Sequence, residues 1–492
     1  MNERQSATNR RTLLFLPAKV VEGLVSVVTL SYLTGIYDTV VNSRFIEATT
    51  AMNLSYIILF AWLSNSASRY CGEYLLGGGK EARRAFFSTL LIPFLGISLL
   101  CGLLCGGLSL ALRDSFFLLN FAMLFGYGAF QIFSIVLVQT MRALPYALLS
   151  VADAAGKLGL IWLLSRPGLF PPSAPGAAMA AYALTDLAVA LAAAAICGLF
   201  TNFSLRAFSR PLFRTFFAYG YPLIGVSFSV AMLNMAYRFL LSDRYAGPGA
   251  LAIYSNNATL ATTVFTMLSV SLMRAAYPSI LEAWRKDGAS AAQRSITGGM
   301  RNFLLVGIPA AFGLTAVSRD LSGLILQGEA YEAGAPAVGI VAFAMLFSGL
   351  TEYANKGWEL SGNTRPILTN SLCCAAVNIL LNLLLIPRIG FMSAAIVLFV
   401  SYLLYFLLSY FRSRPILRLI MPGASLARIL TAGILCAAAA FALSLVPLSP
   451  VLRLALSIAA GGAVYIGVLA LSGEIREELS AIHSILRRRK SA

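Results

Sequence analysis

Two arginines set in the same heptapeptide are the residues of this chain best placed to do chemistry. Leu63 to Arg69 reads LSNSASR and Leu268 to Arg274 reads LSVSLMR, so Leu-Ser-x-Ser-x-x-Arg recurs 205 residues apart. Each copy lies near the end of a long apolar run and is followed by a polar loop, Gly77 to Arg84 in one case and Glu282 to Gly288 in the other. Helical spacing sets Ser66 on the face of Arg69 and Ser271 on the face of Arg274. A guanidinium binds oxyanions through paired N–H donors, and phosphate suits it. Inside a bilayer an arginine costs about 2.5–3.5 kcal/mol on insertion scales, so two placed alike call for a compensating anion. The plainer alternative is a helix-end anchor, with Arg69 paired to Glu73 one turn on. In the second copy Pro278 occupies that place, so local pairing does not explain both arginines.

Other ionisable side chains interrupt apolar runs, and each has two readings. Lys19 and Glu22 stand three apart on one helix face, as an internal ion pair with Lys19 reaching the headgroups or as part of a polar cavity. Asp153 and Lys157 are spaced to satisfy each other at i,i+4, or to serve a cavity. Asp186 is alone in its run and must face another helix or water rather than lipid, with no partner identifiable by spacing. Arg238 precedes the turn SDRYAGPGALAIY, close enough to a helix end to snorkel. Glu352, Lys356 and Glu359 share a face near a helix end, where a solvated surface is the plain interpretation.

The elements that carry these residues follow from composition. Of 492 residues 59% are hydrophobic and 12% charged, with a mean hydropathy of +0.79, which excludes an ordinary soluble domain. The apolar runs have the length of helices crossing a hydrocarbon layer of about 30 Å, and they lack the alternation of barrel strands. The predicted fold is an all-α integral membrane protein with fourteen spans. They fall at roughly 13–35, 45–70, 86–110, 115–140, 147–165, 177–200, 215–241, 251–280, 302–326, 335–357, 366–386, 391–411, 429–447 and 451–471. The opening MNERQSATNRRT is short and polar with no small-residue cleavage site, so the first helix is the expected insertion signal. Between spans five and six, RPGLFPPSAPG cannot continue a helix.

A net charge of +17 raises the question of a nucleic-acid partner, and its distribution argues against one. With both termini in the cytoplasm, 24 Lys and Arg fall in cytoplasmic segments and 7 on the other side. That is the positive-inside pattern, and it removes the need for nucleic acid. The tail GEIREELSAIHSILRRRK places Ile475, Leu479, Ile482 and Leu486 on one stripe and ends in four basic residues, as a segment lying on the cytoplasmic leaflet would. His483, the single histidine, is surface decoration in this reading. The seven cysteines lack metal-ligand spacing and read as packing residues.

The duplication appears a second time: GAAMAAYAL at Gly176 to Leu184 and GFMSAAIVL at Gly390 to Leu398 both read Gly-x-x-x-Ala-Ala-x-x-Leu at the sixth span of each half. Two matches in the same order predict two six-helix lobes, residues 1–214 and 215–412, followed by two extra spans and the tail in 413–492. Parallel repeats related by an axis normal to the membrane are a transporter plan in which substrate lies between the halves.

From Asn363 to Leu398 the sequence resembles the polysaccharide exporter and Wzx-type flippase branch of the MOP superfamily. That branch carries Asn-x-x-x-Asn, then Leu-Ile-Pro, then Gly-x-x-Gly-Ala-Ala. Asn378, Asn382, Pro387, Gly390, Ala394 and Ala395 match, and Ser393 stands where the family has glycine. The segment Tyr219 to Tyr254, with YPLIGV, YRFLLSDRY and AIY, is similar to the start of the family's second half. The resemblance implies two pseudo-two-fold-related lobes around a central cavity that opens alternately to each side of the bacterial cytoplasmic membrane. It also implies an undecaprenyl-diphosphate-linked oligosaccharide as substrate. Related lipid II flippases place cavity arginines on spans one, two and eight. Arg69 and Arg274 match spans two and eight, and the first span here offers Lys19. Ser66, Ser271, Glu22, Asp153, Lys157, Asp186 and Arg238 complete the candidate cavity set. No catalytic residue, metal or cofactor is expected. Coupling to the membrane potential, H+ or Na+ is open, and the expected partners are membrane lipids and other polysaccharide assembly proteins.

Competing functions require other residues. A multidrug antiporter of the same superfamily would use buried carboxylates to exchange a cationic drug for protons or sodium; Glu22, Asp153 and Asp186 exist, but basic groups accompany two of them. A membrane polymerase or ligase would carry a sizeable outer loop and catalytic side chains, whereas the outer loops here are short and lack His. A scaffold has no need of the six Lys and Arg that lie inside spans.

Overall fold

The computed structural model describes residues 21–166, 170–241, 246–419 and 423–476. Every regular element among them is a helix, as the apolar runs predict: with no water in a hydrocarbon layer, backbone polar groups must be satisfied within the segment. Eleven helices are long and apolar enough to cross a membrane, or twelve with one bent pair counted as a span. The helix Ala250–Ile325 leaves helical geometry at Gly288 (φ 76°, ψ −167°) and so holds two of the expected spans. The shorter apolar helix α1, Val21–Ile36, is the described part of the first. Each of the fourteen expected spans therefore has a helix. Two differences are local: of the expected loop Gly77 to Arg84, Lys80 onward already belongs to a helix, and the polar stretch from Glu282 is not a loop, since the helix runs through it as far as the Gly288 break.

By packing, the chain forms two compact units, Met1–Ala252 and Ile253–Ala492. The first contains α1 and then α2, Thr39–Leu59, whose N-terminus is capped by the Asp38 carboxylate accepting from Val41 N at 2.7 Å. At Phe60 the chain bends by 54° into α3, Ala61–Cys71, which ends in a π-turn at Gly72–Leu76. Next come α4 (Lys80–Leu112), α5 (Phe116–Gln139), α6 (Ala143–Leu164), α7 (Gly176–Cys197) and α8 (Arg210–Leu240). Gly198, in the left-handed region at φ 77°, stops α7, and a one-turn helix Leu199–Asn202 follows. Helix α8 starts at the Ser209 cap, with proline in its first turn. The core of this unit is aromatic and aliphatic, with Phe60, Phe86, Phe94, Met123 and Phe216 all fully buried. Leu99, Leu103, Leu104 and Leu110 of α4 are exposed, as residues facing lipid would be.

The second unit is built on α9 (Ala250–Ile325), α10 (Ala335–Leu360), α11 (Arg365–Ile389), α12 (Met392–Ser413), α13 (Gly423–Ser444) and α14 (Pro450–Leu471). Two buried asparagines join neighbouring helices of this unit. Asn378 donates to Ser401 Oγ at 3.0 Å and Asn382 donates to Asn378 Oδ1 at 2.9 Å, so this asparagine pair binds α11 to α12. The duplicated Ala394 and Ala395 are 1% and 0% exposed, as are the Ala180 and Ala181 counterparts at 9% and 0%; small residues let the helices close up. The last helix and the residue stretch after it are tied to α9 by polar contacts: Arg453 with Asp320, Tyr465 Oη donating to Leu305 O, and Arg301 donating to Glu474.

Candidate functional site

In the first unit the polar residues separate into three places. The most buried is a cluster on α6 and α7. Lys157 Nζ lies 2.8 Å from Asp153 Oδ2 and 2.9 Å from Asp186 Oδ1, and 4.9 Å from the centre of the Tyr182 ring. Asp186 is 0% exposed, and its partner, undetermined by spacing, is thus the lysine one helix away. The approach is of ion-pair distance but misaligned for a hydrogen bond, and among the described residues Asp153 Oδ1 and both Asp186 oxygens lack a hydrogen-bond partner. Two carboxylates face one ammonium. Glycines set the approaches to α7: a Cβ on Gly156 of α6 would meet Thr185 Cγ2 at 2.8 Å, and on another side of α7 one on Gly126 of α5 would meet Ala183 O at 2.9 Å. All three charged residues stand out in the sequence as interruptions of apolar runs; the glycines do not.

The second place is α3. Ser66 is fully buried and donates to Phe216 O of α8 at 2.7 Å, and Tyr70 stacks on Phe216 at 5.6 Å. A Cβ on Gly220 would overlap the Trp62 carbonyl oxygen, so this face of α3 is pressed against α8. Arg69 leaves that interface and is exposed, and among the described residues it makes no hydrogen bond or ion pair, with Glu73 or any other group. Beside it, Gln139 donates to Ser68 Oγ at 2.8 Å. Ser66 is therefore packed while Arg69 is free. Third, Arg238 Nη1 donates to Thr50 Oγ1 at 3.0 Å and Nε to Tyr237 Oη at 3.2 Å, which ties α8 to α2. Glu22 opens α1 and is half-buried; Lys19 lies outside the described residues.

In the second unit Arg274 is again exposed and again without an ion-pair or hydrogen-bond partner among the described residues. It lines a cavity of about 410 Å³ between α9 and α10, with Phe265, Ser269, Met273, Ser348 and Glu352 among the walls. Ser271 is half-buried and not among those wall residues; the serine of the repeated motif that lines this cavity is the earlier one, Ser269. Glu352 has a 58% exposed side chain, and Lys356 below it is 6% exposed, 2.6 Å from Glu359 Oε2, 3.9 Å from Glu352 Oε2 and 5.5 Å from the Tyr277 ring centre. Lys356 is thus held mainly by Glu359, which leaves the Glu352 carboxylate directed to the cavity. The place of these three near a helix end reads as a solvated surface in the sequence; the 352–356 spacing is the signal it offers, but which of them borders Arg274 depends on how α9 packs on α10. The cavity can hold an anionic group at Arg274, a hydroxyl or amine at Glu352, and an apolar segment against Phe265 and Met273.

Comparison with known proteins agrees with this architecture. A curated relative, an uncharacterized membrane protein of Methanocaldococcus jannaschii, is 29% identical over 193 residues, which make up 38% of this chain; the match spans about 37% of the relative's length. A lipid II flippase MurJ in an inward closed conformation has the same fold, with a TM-score of 0.74 at 11% identity over 95% of this chain and 99% of that one. An inward-facing MATE-family multidrug resistance transporter of the MOP superfamily aligns with a TM-score of 0.60 at 11% identity, covering 82% and 98%. A MOP superfamily transporter from Pyrococcus furiosus aligns with a TM-score of 0.55 at 12% identity, covering 83% and 95%. The family model described as lipid II flippase MurJ matches residues 20–455, nearly the whole membrane-spanning part, and with the helical architecture and the fold likeness it makes this chain a multi-pass membrane protein that belongs to the lipid II flippase MurJ family.

Proposed function

We propose that the protein flips an undecaprenyl-diphosphate-linked oligosaccharide from the inner to the outer leaflet of the bacterial cytoplasmic membrane. In this reading it works by alternating access between two six-helix lobes, with both termini in the cytoplasm. The observation that carries it is Arg274: a guanidinium exposed to a cavity inside a membrane-crossing helix pair, with no acid bonded to it among the described residues. Such a group is costly in a bilayer unless it meets an anion, and a diphosphate is the anion a lipid-linked glycan brings. Arg69, the repeat's other arginine, is exposed and unpaired in the same way. Glu352 would accept hydrogen bonds from the glycan. The family is described by its lipid II substrate; the resemblance to oligosaccharide exporters extends the reading to lipid-linked glycans of the Wzx class. The buried cluster favours coupling to H+ or Na+, because its two carboxylates exceed its one ammonium.

The test is flipping of a fluorescent undecaprenyl-diphosphate oligosaccharide in proteoliposomes by wild type, Arg69→Ala and Arg274→Ala at matched insertion. Wild type is expected to flip the probe and both variants to fail. Variants as fast as wild type would make the arginines helix anchors. A wild type that moves neither this probe nor lipid II would remove the substrate class, and drug antiport would be measured next.

A further inference from the structure

Apart from the residues assigned to the glycan, the first unit holds two cavities on the same helices. The deeper, of about 290 Å³, is wholly apolar in its side chains, with walls that include Phe94, Phe125, Phe133 and Ala194. Its rim is open to the surroundings, since Leu95, Leu191 and Phe200 are 45%, 52% and 66% exposed. The other, of about 320 Å³, is polar and basic, lined by Arg83, Thr140, Arg142 and Asn202 over Phe87 and Val136. Its described lining contains no acid.

The order of the two is set by the helices. On α4 the walls step from Leu91 to Phe87, on α5 from Phe133 to Val136, and on α7 from Ala194 to Cys197, each about one turn. All three steps lead toward the same end of the unit, the end that the distribution of Lys and Arg assigns to the cytoplasm. Arg142 donates through Nη1 to the Ile196 carbonyl at the last turn of α7, which holds its guanidinium in place with further N–H groups to spare. The Arg83 side chain has no hydrogen-bond or ion-pair partner among the described residues.

We infer that the paired cavities bind one anionic phospholipid of the cytoplasmic leaflet, its phosphate at Arg83 and Arg142 and the start of an acyl chain in the apolar cavity beside Leu191. An apolar hollow open on a membrane-embedded surface is filled by hydrocarbon. A basic pocket between helices at the leaflet boundary selects an anionic headgroup. Their nearest walls are about one helical turn apart, so a headgroup held in one can continue as a chain in the other. This site is separate from the residues assigned to the glycan, and it concerns a resident lipid rather than cargo.

The test uses the full-length protein in phosphatidylcholine vesicles containing a trace of chain-spin-labelled phosphatidylglycerol or phosphatidylcholine, with the immobilised fraction read by electron paramagnetic resonance. Wild type is expected to hold the labelled phosphatidylglycerol preferentially, and Arg83→Gln to lower that preference about fivefold, the effect of about one basic residue near a membrane surface. The Arg83 side chain bonds to no described residue, so its variant is expected to melt with wild type. Leu191→Trp, which narrows the mouth of the apolar cavity, is expected to release label of both kinds. Equal retention of the two lipids by wild type, an unchanged preference in Arg83→Gln, or an unchanged immobilised fraction in Leu191→Trp would each overturn the assignment. Millimolar inorganic phosphate is expected to leave the label bound; displacement would show a free-phosphate site and overturn the lipid.

Discussion

Lys157 illustrates what one charged side chain does in this protein. It is 15% exposed and stands between two carboxylates, so its removal would leave Asp153 and Asp186 facing each other without a cation. Breaking a buried ion pair from one side costs about 3–5 kcal/mol, and Lys157→Met is expected to lower stability by that order in a denaturant titration of the detergent-solubilised protein. A change below 1 kcal/mol would mean that the cluster is solvated or protonated. Arg69 and Arg274 are the contrast. Exposed and unpaired among the described residues, their alanine variants are expected to stay within about 0.5 kcal/mol of wild type while transport is lost. Spacing alone made Asp153 and Lys157 visible as a pair, and the repeat made both arginines visible. Asp186 gained its partner only when α7 packed on α6.

Helix pairs in the first unit are set by where a glycine permits contact. On α8, Gly220 and Gly225 are both helical glycines, yet a Cβ on Gly220 would overlap the backbone of Trp62 and one on Gly225 would meet nothing within 4 Å. Gly220→Val is therefore expected to push α3 from α8, lose the Ser66 to Phe216 hydrogen bond and cost about 1–3 kcal/mol by overpacking. Gly225→Ala, in open space, is expected to be neutral or to stabilise by up to about 1 kcal/mol. Matched unfolding curves of the two variants check the contrast, and equal destabilisation would dissolve it. The repeat also diverges at this scale. Ser66 is consumed by the α3–α8 contact, whereas Ser271 is only half-buried, and Ser269 lines the Arg274 cavity in its stead. Counting residues on a helical wheel placed serine and arginine on one face but could not tell which part of that face another helix would cover.

For the molecule as a whole, the proposed cargo carries negative charge and the proposed direction is outward. An inside-negative potential then assists movement by about 2.3 kcal/mol per charge per 100 mV. In proteoliposomes with a potassium diffusion potential, outward flipping is expected to slow when valinomycin and equal potassium collapse the gradient. Transport that continues unchanged would mean that the charge is neutralised in transit, by arginine or by a co-moving cation. The surplus carboxylate of the α6–α7 cluster supplies a candidate for cation coupling, and a response to a sodium or proton gradient at zero potential would distinguish the two.

By itself the sequence determined that the chain is helical and crosses the membrane many times. Hydropathy over about 20 residues is a local property, and a bilayer leaves an apolar segment of that length little choice but a helix. The duplicated motif likewise marked Arg69 and Arg274, since a repeat can be read without coordinates. Tertiary structure alone decided that Lys157 serves two aspartates, that Ser66 is packed, that Glu352 borders Arg274, and that an apolar and a basic cavity lie one turn apart. These depend on the rotation of each helix about its axis and on the close approaches made at Gly126, Gly156 and Gly220. Within an apolar segment many rotations are nearly equal in hydropathy, and only the fit of one helix surface against another selects among them.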